Sequence, residues 1–251
     1  MKVTFIGAGP GDPKLITLKA VEAIKEAPMI IYAGSLINPE ILNYAECAKE
    51  TQEIHDSASL SLDDMKILFQ KAKDKNWNVA RLQSGDPSYF GAINEQMAIL
   101  DDLEISYSVI PGVSSMQAAA AALKTQYTVP GICQTVTITR IAGQTPVPEK
   151  EDLEKIAAVN PTLVLFLSAG KLKEAVEKLI KHYKSETPVA VVYRVSWPDE
   201  KIIRGSLDTI LDLMKSENIT QSALIIVGEA LSKPEKKSLL YDKNFKHQFR
   251  T

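Results

Sequence analysis

The sequence predicts an α/β protein with two domains, and three observations support that prediction. The chain has 251 residues. Because domains commonly hold about 100–200 residues, this length suits one large or two modest domains. Short apolar runs alternate with segments whose apolar residues recur at helical spacing, which indicates alternating strands and helices. Hydrophobic residues make up 45% and charged residues 24% of the chain, which is typical of a soluble globular protein and rules out a disordered or fibrous one.

The first half of the chain predicts a mostly parallel sheet, because its strands alternate with helices. The expected strands are Lys2–Ile6, Met29–Tyr32, Asn78–Leu82 and Ile105–Ile110. The expected helices begin after the capping residues Thr17 and Ser61, and cover Ala92–Leu103 and Met116–Leu123. The turn-rich segment TQYTVPG follows the last helix and suggests a domain boundary near residues 124–130. We therefore expect one domain over residues 1–124 and a second over residues 125–251.

The second half contains further apolar runs, one of which alternates threonine with aliphatic residues like a partly exposed strand. The expected strands are Gln134–Ile141, Thr162–Leu167, Pro188–Tyr193, Lys201–Arg204 and Ser222–Val227. One helix is expected with Leu172, Val176, Leu179 and Tyr183 on one face, and another at Ser206–Met214. The charged tail from Ser232 to Thr251 keeps several apolar residues and is expected to be partly ordered.

The near-neutral charge limits the partners of this chain. It carries 29 basic and 31 acidic residues, a net charge of −2, whereas proteins that bind nucleic acids or membrane surfaces by bulk charge need a basic excess. No run of 18 apolar residues is present, so no membrane span is expected. Cys47 and Cys133 form no CxxC pair and no disulfide framework, which suits a reducing compartment. We therefore expect a cytoplasmic protein without a nucleic-acid or membrane partner.

A glycine-rich segment, Gly7–Pro13 (GAGPGDP), follows the first strand. A dinucleotide-binding fingerprint needs a third glycine where this chain has Asp12, and Pro10 lacks the N–H that a phosphate would use. Gly170-Lys171 fails as a phosphate-binding loop, since Leu165 stands at the position of its first glycine. A nicotinamide-dependent oxidoreductase is therefore a remote alternative, and the segment is expected to line a different ligand.

Two more segments rich in small residues follow predicted strands. Ser84–Gly91 (SGDPSYFG) comes after the strand that ends at Leu82, and Pro111–Ser115 (PGVSS) comes after the strand that ends at Ile110. Ligands of open α/β sheets bind outside the carboxyl ends of the strands, so two such segments indicate one edge of a ligand pocket. Taken alone, Asp86 and the proline after it are equally consistent with a turn that caps the next helix.

The sequence indicates neither an activated nucleophile nor a metal site. GxSxG and HExxH motifs are absent, and His55, His182 and His247 are scattered along the chain. His55 and Asp56 suit an acid–base pair, although a loop hydrogen bond is the favoured interpretation. Cys133 is expected to be a small buried residue and His182 a surface residue. No catalytic residue is assigned, and no metal is expected to be bound by the protein.

Taken together, these segments resemble the tetrapyrrole methylases, enzymes that use S-adenosylmethionine to methylate the corrin precursor macrocycle. The segments that carry the resemblance are Gly7–Pro13, Arg81–Gly91 (RLQSGDPSYFG), Pro111–Ser115 and Thr162–Ser168 (TLVLFLS). Three others resemble the branch that methylates C11 of precorrin-4, namely Thr139–Pro148 (TRIAGQTPVP), Val192–Pro198 (VYRVSWP) and the tail from Leu240 to His247. The matching order and spacing span essentially the whole chain.

The resemblance implies two α/β domains with a ligand cleft between them, S-adenosylmethionine bound in that cleft, and a homodimer. The implied cofactor-binding residues are Pro10, Gly85, Asp86, Tyr89, Ser114, Ser115, Leu167, Tyr193 and Val195. Leu167 stands where many relatives have methionine, and Val195 stands where others have glycine or alanine. Both replacements are apolar, and Val195 can narrow the pocket.

The implied substrate is a tetrapyrrole that carries a ring of acetate and propionate groups. Arginine binds carboxylates through two parallel charge-assisted hydrogen bonds. Arg140 and Arg194, each at the end of a predicted strand, are therefore the expected substrate-binding residues. Arg81 is a third candidate, although its position in a strand equally suits pairing with a structural carboxylate. Arg204 is expected to be a surface strand residue.

The implied reaction explains why no nucleophile is recognisable. The reduced macrocycle is itself a carbon nucleophile and the leaving thioether needs no acid, so the protein contributes proximity and alignment. The expected function is methylation of C11 of precorrin-4 or of its cobalt form, in cobalamin biosynthesis. Methylation at another ring carbon, or of uroporphyrinogen, is the alternative within the family. A non-catalytic tetrapyrrole carrier is the alternative outside it.

Overall fold

The computed structural model describes residues 1–45, 52–232 and Lys246, and its contacts divide the chain into two compact units. The first comprises Met1–Ala118 together with Val195–Asp199. The second comprises Ala119–Arg194 and the described part of Glu200–Thr251. The domain boundary expected after residue 124 stays a prediction. The expectations for Cys47, for His247 and for the order of the tail lie outside the described residues.

The first unit is built on a five-stranded sheet. Its strands are β1 (Lys2–Gly7), β2 (Met29–Tyr32), β3 (Glu53–Asp56), β4 (Val79–Gln83) and β5 (Ser106–Ile110). They lie in the order β3-β2-β4-β1-β5, and every neighbouring pair is parallel. The parallel sheet predicted for the first half of the chain is therefore confirmed. The sequence does not predict β3, because EIHD is short, charged at both ends and placed at the sheet edge, where only one neighbour supports it.

Helices α1 (Leu18–Glu26), α2 (Leu62–Asp74) and α3 (Ile93–Asp102) belong to this unit, and α4 (Ser115–Leu123) begins in it and ends in the second. Two predicted caps are confirmed. The Thr17 hydroxyl accepts a hydrogen bond from the Ala20 N–H at 3.2 Å, and Ser61 forms a capping box with Asp64. α3 follows Ala92, whose φ of 48° lies in the left-handed region and whose side chain supplies no cap.

Apolar side chains cover both faces of the first sheet. Ile6 of β1 belongs to a core that includes Ile24 of α1. Its neighbour Phe5 belongs to a second core, which includes Phe69 of α2 and Leu100 of α3. Because successive strand residues point to opposite faces, a sheet buried on both sides requires the continuous apolar runs seen in the sequence.

The second unit contains a mixed five-stranded sheet. Its strands are β6 (Val136–Thr139), β7 (Thr162–Leu165), β8 (Pro188–Tyr193), β9 (Lys201–Ser206) and β10 (Ala223–Val227). They lie in the order β6-β7-β10-β8-β9, in which β6 and β7 are parallel and the other three pairs are antiparallel. Helices α5 (Leu153–Ala157), α6 (Leu172–Leu179) and α7 (Ile210–Met214) complete the unit. Both units are therefore of the predicted α/β class.

Two predicted helices of the second unit differ in extent from those observed. The helix expected from Ser206 begins only at Ile210, because the Ser206 hydroxyl forms hydrogen bonds with Asp208 and Thr209 inside a turn. α6 ends before Tyr183, whose ring is nevertheless buried and whose hydroxyl donates to a backbone carbonyl at 2.5 Å. A local side-chain hydrogen bond therefore delays the start of α7, whereas Tyr183 keeps a backbone hydrogen bond to the Leu179 carbonyl at 2.8 Å beyond the last residue of α6.

Candidate functional site

Three segments meet at the carboxyl edge of the first sheet. We call them the glycine-rich loop (residues 7–13), the SGDP loop (residues 84–91) and the PGVSS loop (residues 111–115). They follow β1, β4 and β5, which are neighbours in the sheet. Gly9 and Gly85 exchange backbone hydrogen bonds of 3.2 and 2.8 Å, which joins the first two loops by an antiparallel bridge.

Glycines let these loops approach one another more closely than other residues would allow. A Cβ on Gly7 would lie 2.4 Å from the backbone nitrogen of Gly112, and a Cβ on Gly112 would lie 2.2 Å from the carbonyl oxygen of Gly85. Gly85 itself has a φ of 65°, in the left-handed region. The edge therefore consists of closely packed backbone groups, with few side chains between them and a ligand.

Asp86 holds the SGDP loop against the PGVSS loop. One carboxylate oxygen accepts from the Gly112 N–H at 2.8 Å, and the other accepts from the Ser88 N–H at 2.9 Å and from the Ser88 hydroxyl. Partial burial disfavours the charged form, but these hydrogen bonds outweigh it and hold the pKa of Asp86 below its ordinary value. Asp86 is thus an ionised carboxylate that forms the expected turn and also joins two loops.

A short segment of the chain, Val195–Asp199, packs against the glycine-rich loop. It belongs to the first unit, although the residues on either side of it belong to the second. The Trp197 indole N–H donates to the Pro10 carbonyl at 3.0 Å, and the Ser196 hydroxyl accepts from the Asp12 N–H at 3.0 Å. The conformation of the glycine-rich loop is therefore set by side chains nearly 190 positions later in the sequence.

The sequence analysis missed Trp197 and Ser196 as site residues. A Cβ on Gly11 would lie 2.2 Å from the Trp197 ring, so the indole lies directly on the loop backbone. The motif VYRVSWP contained the signal, since a tryptophan beside a proline in a polar turn has no evident role in a local structure. Only the tertiary contact reveals what it touches.

The other cofactor-binding residues expected in the first unit lie along the same edge. Ser114 is buried immediately before α4, and its carbonyl accepts from the Gln117 N–H at 3.1 Å. Ser115 is the first residue of α4 and is half-buried. Tyr89, in the SGDP loop, is partly exposed. Pro10 and Gly85 belong to the two bridged loops, so the structure gathers these residues at one edge.

The site residues expected in the second unit leave one edge of its sheet. β10 is antiparallel to both β7 and β8, so these two strands point the same way. Leu167 follows β7 and Arg194 follows Tyr193 at the end of β8. Leu167 has a φ of 51° and is 71% exposed. A left-handed, exposed leucine is uncommon, and such strained residues concentrate at functional sites. Val195, in contrast, belongs to the first unit and is buried.

Arg140 leaves this same edge, because it follows β6 and β6 is parallel to β7. Its guanidinium donates to the carbonyls of Thr145 at 3.1 Å and Pro146 at 2.6 Å. These hydrogen bonds close the segment 141–148, which lines a cavity of about 350 Å³ together with Arg140. The expected carboxylate-binding arginine is therefore held by neutral backbone acceptors.

Arg81 lies inside the first unit, with 6% of its surface exposed. Its Nε donates to the Gln96 side chain at 2.9 Å and its Nη1 donates to the Ser57 hydroxyl at 2.9 Å. Desolvation lowers the pKa of Arg81 to about 10, which leaves it charged at neutral pH. The structural carboxylate expected as one possible partner is wrong for the described residues, among which only neutral oxygens accept its hydrogen bonds.

His55 and Asp56 do not form an acid–base pair. The His55 Nε2 atom lies 3.2 Å from a Glu53 carboxylate oxygen. Asp56 instead accepts from the N–H groups of Gly34 and Ala58, at 2.9 Å each. Hydrogen bonds to a loop, the interpretation favoured from the sequence, are therefore confirmed for Asp56.

The remaining candidates for metal or nucleophilic chemistry are dispersed. Cys133, expected to be buried, is half-buried, and its thiol donates to the Thr135 carbonyl at 3.2 Å. His182 is exposed, as expected. Within residues 1–45 and 52–232, no group of three histidine, cysteine or acidic side chains could hold a metal ion. No helix in that same part of the chain is long and apolar enough to cross a membrane.

Comparison with known proteins identifies a family whose sequences this chain resembles. The family model of the tetrapyrrole (corrin/porphyrin) methylases matches residues 2–211. The cobalt-precorrin-4 C(11)-methyltransferase of Methanocaldococcus jannaschii is 49% identical, over 99% of this chain and 96% of the relative. The precorrin-4 C(11)-methyltransferase of Pseudomonas aeruginosa is 41% identical, over 100% of this chain and 99% of the relative.

Solved structures agree with these relatives. The X-ray structure of a cobalt precorrin-4 methyltransferase superposes with a TM-score of 0.88 at 38% identity, covering 92% of this chain and 96% of that one. The uroporphyrin-III C-methyltransferase of Thermus thermophilus, complexed with S-adenosylhomocysteine, gives a TM-score of 0.77 at 28% identity and covers 92% and 94% of the two chains.

Proposed function

This chain belongs to the tetrapyrrole methylases, and from that premise we propose that it transfers a methyl group from S-adenosylmethionine to C11 of precorrin-4 or of its cobalt form. The observation that carries the proposal is the likeness to relatives with this activity, which extends over nearly the whole chain at 49% and 41% identity. The reaction belongs to cobalamin biosynthesis. One of these relatives is named for cobalt-precorrin-4 and the other for precorrin-4, so activity assays with both substrates must determine whether the substrate contains cobalt.

We propose that S-adenosylmethionine binds along the carboxyl edge of the first sheet. The bridged glycine-rich and SGDP loops offer backbone donors and acceptors there without bulky side chains. Gln83, at the end of β4, is buried, and its Nε2 has no acceptor within residues 1–45 and 52–232. A buried donor without an acceptor is unfavourable, so a polar ligand at this edge would stabilise it. The complex of the Thermus thermophilus relative with S-adenosylhomocysteine supports the choice of cofactor.

The remaining cofactor contacts proposed from the resemblance are Tyr89, Ser114, Ser115 and Val195 in the first unit, and Leu167 and Tyr193 in the second. Leu167 has a left-handed backbone conformation and an exposed side chain, and an exposed apolar side chain suits a contact with a planar base.

We propose that Arg140 and Arg194 bind carboxylates of the substrate. Both follow strands that end at the same edge of the second sheet. Arg140 follows β6, which is parallel to β7, and Arg194 follows β8, which runs in the same direction as β7. Arg140 now donates to the carbonyls of Thr145 and Pro146. A carboxylate is a stronger acceptor for a guanidinium than a neutral carbonyl is, so a substrate can take over these donors. Arg81 lines a different pocket from Arg140.

The residues of this chain contribute position and alignment to the reaction. S-adenosylmethionine, when bound, supplies an electrophilic methyl group, and the macrocycle supplies the carbon nucleophile. Holding two reactants in line can lower a barrier by about 7–11 kcal/mol in favourable cases. Asp86 directs its oxygens to Gly112 and Ser88, so its contribution is to orient the loops that would hold the cofactor. No residue of the chain is assigned as a general base.

We propose in addition that the enzyme is a cytoplasmic homodimer, that it binds neither nucleic acid nor membranes, and that it needs no metal ion of its own. The net charge of −2 supports the absence of polyanionic macromolecular partners. Light scattering coupled to gel filtration tests the dimer, since the chain alone has a mass of 27.6 kDa.

Product analysis tests the proposed reaction. The purified protein is incubated with S-adenosylmethionine carrying a ¹³C-methyl group and with precorrin-4 or cobalt-precorrin-4, and the product is examined by mass spectrometry and NMR. One labelled methyl group at C11 is expected. A methyl group at another carbon, or transfer only to uroporphyrinogen, would contradict the C11 assignment within the same family. A protein that binds the tetrapyrrole but neither binds S-adenosylmethionine nor transfers a methyl group would be a carrier.

A further inference from the structure

A small pocket on the α2–α3 side of the first sheet collects positive charge without a matching carboxylate. We call it the Arg81 pocket. It has a volume of about 210 Å³. Its polar lining consists of Ser57, Ser61, Arg81, Glu95 and Gln96, and apolar side chains that include Met65 close the rest.

The Arg81 guanidinium keeps one donor group for a ligand. Its Nε and Nη1 donate to the Gln96 amide and the Ser57 hydroxyl, and Nη1 also faces the Leu82 carbonyl at 3.3 Å. Within residues 1–45 and 52–232, nothing accepts a hydrogen bond from Nη2. Burial shifts its pKa downward, and no nearby carboxylate offsets that effect. A charge in this position, 6% exposed, is unfavourable unless an anion compensates it.

Two helices begin at the same pocket. Ser61 caps α2 and lines the pocket, and Ala92 and Glu95 at the start of α3 also line it. The α2 terminus is satisfied by its own capping box, whereas α3 lacks any side-chain cap. The amino end of a helix carries partial positive charge and unsatisfied N–H groups, which favour anions. The uncapped α3 terminus therefore adds to the charge of Arg81.

Glu95 is the one acidic residue in the lining, and it does not neutralise the pocket. Its side chain is exposed, and it forms no ion pair with Arg81 in the described structure. The serine hydroxyls are committed as well: Ser57 donates to the Tyr32 carbonyl at 3.1 Å, and Ser61 donates to Asp64 at 2.6 Å. The donors left for a ligand are Nη2 of Arg81 and the first N–H groups of α3.

We propose that the Arg81 pocket binds one carboxylate group, held by Arg81 and by the amino end of α3. The carboxylate has two sources. It is either a small free carboxylate from solution or a peripheral carboxylate of the macrocyclic substrate. The pocket stands on its own geometry, and only the second source rests on the proposed function.

Thermal unfolding in acetate tests the pocket. The melting temperature is measured at constant pH and ionic strength while sodium acetate replaces sodium chloride. Wild-type protein is expected to gain about 3–6 °C when acetate reaches ten times its dissociation constant. Arg81→Met removes the charge and should abolish the gain. Arg204→Met is the matched control, because Arg204 is exposed and donates to the Leu123 carbonyl in the second unit. It should keep the full gain.

A second variant keeps the test decisive if Arg81→Met does not fold. Gln96→Glu places a carboxylate at the atom that already accepts from Arg81 Nε at 2.9 Å. It should raise the melting temperature in chloride and remove the response to acetate, since the charge is then compensated internally. Equal acetate responses in wild type and in either pocket variant would overturn the proposal, as would the absence of a response in wild type.

Steady-state kinetics of the wild-type enzyme distinguish the two sources. If a substrate carboxylate occupies the pocket, acetate competes with it and raises KM for precorrin-4 in proportion to acetate concentration. If a free carboxylate occupies it, KM stays unchanged over the range that stabilises the protein. Once acetate has been shown to stabilise the wild-type protein, either kinetic result identifies the source of the carboxylate. Absence of methyl transfer in wild type would count against the proposed function alone, because the unfolding experiment does not depend on it.

Discussion

Asp86 joins two loops of the candidate site, and this link predicts an effect on cofactor affinity. Its two oxygens are used by Gly112 and by Ser88. Asp86→Ala removes the acceptor of the Gly112 N–H, so the SGDP and PGVSS loops lose their link. We expect the affinity for S-adenosylhomocysteine to fall about tenfold or more, since a hydrogen bond to a charged group contributes about 1.5–3 kcal/mol. Titration calorimetry measures the change.

Asp64→Ala is the control for this experiment. Asp64 is another carboxylate of the first unit, and hydrogen bonds from the Ser61 hydroxyl and N–H lower its pKa as part of the α2 cap. Its loss should reduce the melting temperature and leave cofactor affinity unchanged. Unchanged affinity in Asp86→Ala as well would remove Asp86 from the cofactor site.

Arg140 gives a prediction that separates substrate from cofactor. Arg140→Ala should raise KM for the macrocycle about tenfold to a hundredfold, because it removes charge-assisted hydrogen bonds to a carboxylate. The dissociation constant of S-adenosylhomocysteine should change less than about twofold. Arg140→Lys should fall between, since lysine supplies charge without the planar fork. Steady-state kinetics and calorimetry provide the two readouts, and equal losses in both would contradict the assignment.

At the scale of residues, the sequence predicts the position of the candidate residues in the fold better than their contacts. As expected from the motifs, Asp86 lies on a loop and Arg140 and Arg194 directly follow strands. The partners of Arg81, however, are Gln96 and Ser57, which lie 15 and 24 positions away. Nothing in a single sequence distinguishes an amide partner from a carboxylate partner at such distances, because the choice depends on tertiary packing.

The glycines of these loops allow the ends of neighbouring strands to approach one another closely. Gly112→Ala would place a Cβ 2.2 Å from the Gly85 carbonyl oxygen, so the β4 and β5 ends must move apart. Overpacking of this kind commonly costs about 1–3 kcal/mol. We expect that loss in the free energy of unfolding by urea, together with weakened binding of S-adenosylhomocysteine.

Gly143→Ala is the matched substitution. A Cβ on Gly143 meets no atom within 4 Å, so this variant should unfold like wild type and bind the cofactor normally. If Gly112→Ala behaved like Gly143→Ala in both measurements, the close approach of the loops would not be required for binding.

β3 and α2 are joined by an ion cluster that predicts an acid sensitivity. Glu53 accepts from Lys71 at 2.6 Å and from Lys75 at 3.1 Å. These hydrogen bonds, chiefly the one from Lys71, lower the pKa of Glu53 to about 2. Because the folded state favours the ionised form, its contribution is present above the unfolded pKa of about 4.3 and disappears as the pH falls toward 2.

Glu53→Gln should therefore be less stable than wild type at pH 6, and the difference should shrink between about pH 4.5 and 2. Urea unfolding across this pH range measures it. Glu149→Gln is the control: the Glu149–Lys155 pair is 3.2 Å long, but the carboxylate is 96% exposed, so no measurable effect is expected. A difference between wild type and Glu53→Gln that persists at pH 2 would show that the charge is not its cause.

The sequence predicts helices and strands well where apolar periodicity or a helix cap determines them. It predicts them less well where hydrogen bonding to a neighbouring strand determines them. The caps of α1 and α2 follow from Thr17 and Ser61. The sequence does not predict whether strands of the second sheet run parallel or antiparallel. β7, β8 and β10 are apolar runs, and such a run would be equally buried whether its neighbours were parallel or antiparallel to it. β3 depends on its neighbour β2 and on lysines from α2, and its own sequence carries little strand preference.

At the scale of the whole molecule, the two units were visible in the sequence as a change of strand pattern. The return of Val195–Asp199 to the first unit was not. That segment brings Ser196 and Trp197 to the glycine-rich loop, and Arg194 (φ 44°) and Ser196 (φ 64°) both have left-handed backbone conformations. This return depends on contacts between distant segments, so the motif VYRVSWP identified the segment without predicting what Ser196 and Trp197 contact.

The near-zero net charge predicts that catalysis depends only weakly on salt. A chain of net charge −2 offers no long-range field to attract a polyanionic substrate, so recognition must come from a few local arginines. Salt screens exposed charges over a Debye length that falls from about 10 Å at 0.1 M to 3 Å at 1 M, and screens partly buried pairs much less. We therefore expect kcat/KM for the macrocycle to fall less than about threefold between 50 and 500 mM sodium chloride. The factor by which Arg140→Ala lowers kcat/KM should agree within about twofold at the two salt concentrations, since Arg140 is half-buried. A tenfold or larger fall for wild type would mean that a field from clustered surface lysines, and not local arginine geometry, brings the substrate to the enzyme.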